Sequence, residues 1–372
     1  MITVKAVKTK KDLNTFIKFP FSIYQDCPYW VPPIVSQEKE VFNANKNPVF
    51  KDAEAHLFIA YKDKKPVGRI AGIINYIEVN QLNQPKMRFG WFDFIDDLEV
   101  SKALLEKVET IGNEKGLAYC EGPVGFSNLD KVGIVTEGFE FLGPMITWYN
   151  YPYYLNHYQT HGYTKEKGYV ENQFSFSNVE PTFFVKARTL IERRYGLKSM
   201  NFKSTKELLP YVDDLFELFN ITYSELSSFV KITPIQIEYI KRKFIPFINP
   251  EYVKFVLDKD DKIISFSIVM PYLSDVVKQI NGKLFPLGFV KLLKAKKQSK
   301  TVEFTLIGIL PEYQNKGVTA IIFDEYYKTF KEKGIEHCIR TPELEDNIAI
   351  QQLWKHFNPI LYRKRQTMRK DL

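Results

Sequence analysis

Apolar and polar residues alternate with two different periods along this chain, and the order of those periods outlines its architecture. Ile2-Thr3-Val4-Lys5-Ala6-Val7 predicts a short strand, and Asp12 to Phe19 a first helix. Cys27-Pro28-Tyr29-Trp30-Val31-Pro32-Pro33 reads as a rigid aromatic loop. His56 to Tyr61 and Val67 to Asn75 are β-rich runs joined at Lys62-Asp63-Lys64-Lys65-Pro66, the chemistry of a hairpin. Phe89 to Phe94 predicts another strand. Leu104, Val108 and Ile111 mark a helix that Gly116 ends, and Leu117 to Cys120 the strand after it.

The second half repeats this order. Gly196 to Phe202 reads as a strand, Lys206 to Phe247 as helices, and Tyr252 to Leu257 with Ile263 to Val269 as a hairpin around Asp258-Lys259-Asp260-Asp261. Val302 to Leu310 predicts a strand, Thr319 to Lys333 a helix closed by Gly334, Ile335 to Arg340 a strand, and Asp346 to Phe357 a helix. Ile360 to Arg369 ends the pattern as an extended segment. The hairpin turn that begins at Lys62 recurs at Asp258, and Tyr158 falls on Trp354, both 196 positions later. An internal duplication accounts for both matches, with its boundary near residues 172–185, where Glu171-Asn172-Gln173 and Glu180-Pro181 interrupt the pattern.

Length and composition agree with two globular halves: 372 residues, 45% hydrophobic and 26% charged. No run approaches the roughly 18–20 apolar residues of a membrane span, so stable membrane insertion is not expected. The start, Met1-Ile2-Thr3-Val4-Lys5, shows no charged-then-apolar leader. Cys27, Cys120 and Cys338 are odd in number and far apart, which fits a reducing cytoplasm rather than a disulfide framework. His157 and His161 are four apart with no intervening glutamate, so no metal is expected. The excess of 52 basic over 44 acidic residues suits an anionic ligand, or is a solvated lysine-rich surface. No nucleic-acid motif accompanies it, so nucleic acid is not an expected partner.

The candidate chemistry lies in Leu306-Ile307-Gly308-Ile309-Leu310-Pro311-Glu312-Tyr313-Gln314-Asn315-Lys316-Gly317-Val318-Thr319-Ala320. A β-rich run stops at Pro311, a polar loop follows, and an amphipathic helix begins near Val318 with Ile322, Phe323, Tyr326 and Phe330 on its apolar face. Gly317 permits close backbone approach, and the helix start offers unpaired N–H groups and a partial positive charge, a cradle for pyrophosphate. A connecting loop has the same appearance. No Gly-Lys-Ser/Thr follows and no three-glycine fingerprint is present, which excludes the two commonest nucleotide loops.

Pro311 to Val318 resembles the acyl-CoA motif of the GNAT N-acyltransferase superfamily, Gln/Arg-x-x-Gly-x-Gly/Ala, matched by Gln314 and Gly317, with Thr319 where the family prefers Gly or Ala. Asn347 to Phe357 resembles the family's Asn-containing helix, with Trp354 in place of the tyrosine that protonates the CoA thiolate. The first half resembles a degenerate copy. Trp91 to Asp97 stands where the loop would be, without Gln-x-x-Gly and with acids that repel phosphate, and Tyr153 to Tyr163 resembles the closing helix. Glu121-Gly122-Pro123, Gly138 and Pro144 are similar to features of large two-lobed bacterial members.

The resemblance implies an α/β fold with a mixed sheet and two tandem lobes: residues 1–178 a degenerate lobe without the CoA loop, residues 179–372 the lobe that holds acyl-CoA. It implies transfer of an acyl group, acetyl being the expected one, to a small-molecule amine that attacks the thioester directly. Ile309, Gln314, Asn315, Lys316, Gly317, Val318, Thr319, Ala320 and Asn347 are then the cofactor-binding residues. Glu303, on the strand leading to the loop, is the expected general base, against the plainer reading of a surface carboxylate. Trp354 and Thr319 motivate an alternative, a CoA-binding protein without turnover. Lys283 to Lys300 contains six lysines and no acid among apolar residues. It reads as an insertion between strands, or as a basic amphipathic stretch that meets a membrane or an anionic chain.

Overall fold

In the computed structural model, which describes every residue except Asn128, Glu225, Ser227 and Ser228, the two halves contribute to one mixed sheet. The first half runs β1 (Ile2–Ala6), α1 (Lys10–Ile23), α2 (Val35–Val41), β2 (Ala53–Lys62), β3 (Lys65–Asn75), α3 (Tyr76–Asn80), β4 (Lys86–Phe94), α4 (Leu98–Glu114), β5 (Tyr119–Gly122), β6 (Ile134–Glu137), α5 (Tyr153–Thr160) and β7 (Thr164–Ser175). The second runs α6 (Pro181–Tyr195), β8 (Lys198–Asn201), α7 (Thr205–Leu208), α8 (Val212–Thr222), α9 (Pro234–Phe244), β9 (Val253–Leu257), β10 (Ile263–Pro271), α10 (Ser274–Gln279), α11 (Gly288–Gln298), β11 (Thr301–Ile309), α12 (Thr319–Lys333), β12 (His337–Arg340), β13 (Glu343–Leu344), α13 (Ile348–Leu353) and β14 (Ile360–Asp371).

The strand order is β1-β2-β3-β4-β5-β14-β7-β12-β11-β10-β9-β8. Neighbours on this path are antiparallel except β4 with β5 and β11 with β12, which are parallel. The closing strands are exchanged: β14 lies beside β5, and β7 beside β12. β7 and β14 are both twelve residues long and start 196 positions apart, so the repeat seen at two points in the sequence extends through the final strands. Where they pair, Arg365 and Arg363 meet the buried Glu171, and the Tyr362 hydroxyl donates to the same carboxylate at 3.0 Å. Breaking one partner of such a buried cluster leaves an uncompensated charge, so the exchange is fixed by electrostatics as well as by the ladder.

Each half has its own apolar core. In the second, Phe304 of β11 packs on Tyr326 and Phe330 of α12 and on Trp354 at centroid distances of 5.5, 6.1 and 4.9 Å. Such rings contribute about 1.5–3 kcal/mol each through burial. On β9 the Lys254 ammonium reaches Thr329 of α12, while adjacent Phe255 meets Tyr211 just before α8, so these helices cover opposite faces of the sheet. Both predicted breakers behave otherwise: Glu171-Asn172-Gln173 lies inside β7, paired with β14. Pro181 is the first residue of α6, where its missing N–H loses nothing, and Gly196 ends that helix at φ 64°.

Candidate active site

β11 and β12 pair only from Thr301↔His337 to Phe304↔Arg340 and then separate. The pairing of β11 with β10 slips by one residue between Phe304 and Leu306, a bulge at Thr305 that turns β11 away from its neighbour. Past the split, the Tyr223 hydroxyl donates to the Ile307 carbonyl at 3.1 Å and accepts from its N–H at 3.4 Å. Burial pushes this phenol up to about 12.

The loop after β11 is built as its residues require. Pro311–Tyr313 forms a 3-10 turn, Asn315 and Gly317 take φ of 59° and 77°, and the Gln314 amide donates to the Ile309 carbonyl at 3.3 Å. Val318 precedes α12 without a side-chain cap, no acid stands in the first turn, and the Ala320 N–H donates to the Gly317 carbonyl at 2.9 Å, so the helix start carries the positive end of its dipole without a side-chain partner. A Cβ on Gly317 would lie 2.6 Å from the Ile191 side chain of α6. Lys316 sits over Tyr195 and Tyr313 at 5.3 and 5.0 Å, and Arg193 and Arg194 fill the last turn of α6 beside it. Residues 314–317 are exposed. These features fit a phosphate-bearing cofactor at the positions the sequence singled out.

The corresponding place in the first half is closed. The Asp97 carboxylate accepts from the Glu99 N–H at 3.0 Å, capping α4, and is held by Lys62 at 2.9 Å. Beyond the β4–β5 pairing the Val124 N–H donates to the Phe89 carbonyl at 2.8 Å, and a Cβ on Gly90 would lie 2.6 Å from the Val124 oxygen.

From the split in the second half, a cavity of about 440 Å³ runs towards the first half. Thr305, Leu306, Ile307, Thr341 and Asn347 line its mouth. Asn347 caps α13, its Oδ1 accepting from the Ile350 N–H at 3.2 Å. Trp354 is buried; its indole N–H donates to Glu343 at 3.1 Å, and the Arg340 guanidinium lies 4.8 Å above the ring. Tyr158, its counterpart, is buried with an unpartnered hydroxyl. One cavity wall is apolar, made by Phe216 of α8, Ile240 and Phe244 of α9, Ile248, and Ile268 with Met270 of β10. The first half supplies a charged wall: Lys86 lies 3.0 Å from both Glu78 and Glu121, and Arg88 donates to the Gly125 carbonyl at 2.9 Å.

Glu303 is 2% exposed, and its Oε1 has no hydrogen-bond partner among the described residues. Burial first, and Glu171 second, raise its pKa to about 8. Glu303 does not itself line the cavity; Thr305, two residues on, and Met270, its pairing partner, do. Sequence reasoning missed Tyr223, which follows a helix without any motif, and the whole charged wall.

A second constellation has the look of chemistry without its access. The Ser101 hydroxyl lies 2.8 Å from both His157 and His161, and His157 lies 2.9 Å from Asp96. Ser101 is fully buried inside α4 and also donates to the Leu98 carbonyl, so no substrate reaches it. Among the described residues no group of three or more His, Cys, Asp or Glu is placed to hold a metal ion.

The chain matches no family model. It is 24% identical over 375 residues to Protein YghO of Escherichia coli (strain K12), covering 99% of this chain and 95% of that protein. It is 25% identical over 321 residues to the Bacterial ceramide synthase of Caulobacter vibrioides (strain NA1000 / CB15N), covering 84% and 82%. A tandem GNAT protein from the clavulanic acid biosynthesis pathway superposes with a TM-score of 0.56 at 9% identity, covering 100% of this chain and 98% of the other. The chain has the GNAT fold. In GNAT terms, both halves carry a parallel pair that parts beside a bulge, β4–β5 and β11–β12, but Asp97 caps the helix after the first, whereas the helix after the second starts without a side-chain cap. The exchanged strands β7 and β14 join the two halves.

Proposed function

We propose that the protein is an acyl-CoA-dependent N-acyltransferase whose second half, residues 179–372, holds acyl-CoA and whose first half, residues 1–178, forms the far wall of the acceptor cavity. The observation that carries this reading is the continuity of three parts: the uncapped start of α12, the split between β11 and β12, and the cavity beyond it. The N–H groups of Gly317, Val318 and Thr319 receive pyrophosphate at the turn that the Ala320 N–H closes onto the Gly317 carbonyl, with Lys316, Arg193 and Arg194 supplying positive charge. Ile309, Gln314, Asn315, Val318, Thr319 and Asn347 position the rest of the cofactor, which supplies the activated acyl thioester. CoA is a cytoplasmic cosubstrate, so the cytoplasm is the compartment this reading requires.

Glu303, held just behind the cavity lining at Thr305 and Met270, takes the proton of the attacking amine through an intervening water. Its raised pKa suits a base working near neutral to mildly alkaline pH. Tyr223, the hydroxyl fixed at the split, takes the place of the family tyrosine that Trp354 replaces and delivers a proton to the leaving thiolate. The cavity is far larger than an acetyl group: at about 30 Å³ per water-sized unit it holds on the order of a dozen. Its apolar wall supports an aliphatic chain on the acyl group or on the amine, in keeping with the Caulobacter relative's name, a bacterial ceramide synthase.

The test is thiol release from acetyl-CoA and from a long-chain acyl-CoA against amines of increasing chain length. Release that rises with chain length is expected. The indole of Trp354 is committed to Glu343, which favours a second reading, a CoA-binding protein without turnover. Tight CoA binding with no release for any amine would decide for it.

A further inference from the structure

Between β10 and β11 the second half carries α10 and α11, where the first half has only the short α3 between β3 and β4. The segment 283–300 presents Phe285, Leu287 and Val290 at 80, 66 and 62% exposure. Phe289 and Leu293 are exposed beside them. Large apolar side chains stand in water singly on ordinary surfaces; five within nine residues form a patch that needs a partner. The same segment carries six lysines and no acid, and among the described residues none of the six forms an ion pair. Lys296 and Lys300 donate to backbone carbonyls instead, at 2.9 and 3.1 Å.

This is not a loose loop. Leu292 is 2% exposed and anchors α11 in a cluster with Val31, Leu273 and Val277, flanked by Leu284, Ala295 and Phe247. The apolar residues outside that anchor are therefore held outward on a fixed support.

We propose that Lys283 to Lys300 docks the protein on the surface of an anionic lipid bilayer, with Phe285, Leu287 and Val290 entering the headgroup–acyl boundary and Lys283, Lys291, Lys294 and Lys297 facing the anionic headgroups. A short helix with apolar tips and a lysine-rich remainder lies in the interface plane rather than crossing the membrane. No helix among the described residues is long and apolar enough to cross one. Nucleic acid would satisfy the lysines and leave the apolar tip in water. Phe247 packs against the cluster that anchors α11, and its chain neighbour Ile248 and nearby Phe244 wall the cavity, so docking brings that apolar wall close to the bilayer. The docking surface itself stands whether or not the chain turns over acyl-CoA.

The experiment is vesicle flotation of the full chain with phosphatidylcholine alone and with about one third phosphatidylglycerol added. Wild type is expected to float with the anionic vesicles and to be released by salt. The triple variant Lys291→Glu/Lys294→Glu/Lys297→Glu should lose about a hundredfold or more in affinity. Phe285→Ser/Leu287→Ser/Val290→Ser should lose a similar factor or more. All six positions are exposed, so both variants should keep the wild-type circular dichroism spectrum. Equal binding to neutral and anionic vesicles, no effect of the lysine variant, or a wild-type dimer that the apolar variant converts to monomer would each overturn the proposal.

Discussion

Replacing Glu303 by Gln separates what this side chain does for stability from what it does for chemistry. In the fold, burial and Glu171 raise its pKa from 4.5 to about 8, so the protonated form is favoured. The stability that protonation contributes is fully present below the unfolded value and is lost as pH rises through the folded one. Gln, neutral at every pH, has nothing to lose. At about 1.4 kcal/mol per pKa unit, wild type should lose roughly 3 kcal/mol relative to Glu303→Gln between about pH 5 and about pH 8. Denaturant unfolding of both proteins at several pH values measures this, because titrating groups that do not interact with Glu303 cancel in the difference. Near pH 5 the two should agree within about 1 kcal/mol, and near pH 8 the variant should be the more stable. If Glu303 is also the base, the stabilised variant should turn over amine about 10²- to 10⁴-fold more slowly. Parallel stability curves for the two proteins would refute the buried, proton-holding carboxyl on which that role depends.

Gly317→Ala places a Cβ at φ 77° and 2.6 Å from Ile191, so we expect about 1–2 kcal/mol of destabilisation and at least tenfold weaker CoA binding, measured by calorimetry on the folded variant. Unchanged CoA affinity would remove the loop from the site. Tyr223→Phe should lower turnover at least tenfold with little change in CoA affinity, whereas Trp354→Phe should retain most activity, since it keeps an aromatic ring against Phe304 while losing the indole bond to Glu343. A reversed order would return the proton-donor role to the α13 region.

The fold was legible where neighbours in sequence are neighbours in space. Hairpins β2–β3 and β9–β10, helices α4 and α12, and the loop at Gly317 follow from alternation, 3.6-residue periodicity and glycine placement. The exchange of β7 and β14 was not legible, because polar Glu171-Asn172-Gln173 hid β7 as a strand and periodicity does not name the strand beside β14. For the same reason the charged wall of Lys86, Arg88 and Glu121 could not be joined to a loop more than 190 residues away. Proline misled at Pro181, a stop inside a helix but a favoured residue at its first position. The segment 283–300 was recognisably basic and amphipathic. Only packing reveals that Leu292 faces inward and Phe285 outward, turning an insertion into a surface with a direction.

The account rests on one half of a duplicated fold having kept the cofactor cleft and the other having closed it. A crystal structure of the full chain grown with CoA tests this directly. We predict one CoA per chain, its pyrophosphate on the N–H groups of Gly317, Val318 and Thr319 and its pantetheine arm between β11 and β12, ending near the Tyr223 hydroxyl. CoA bound at the start of α4 beside Asp97, or lying outside the split between β11 and β12, would contradict it.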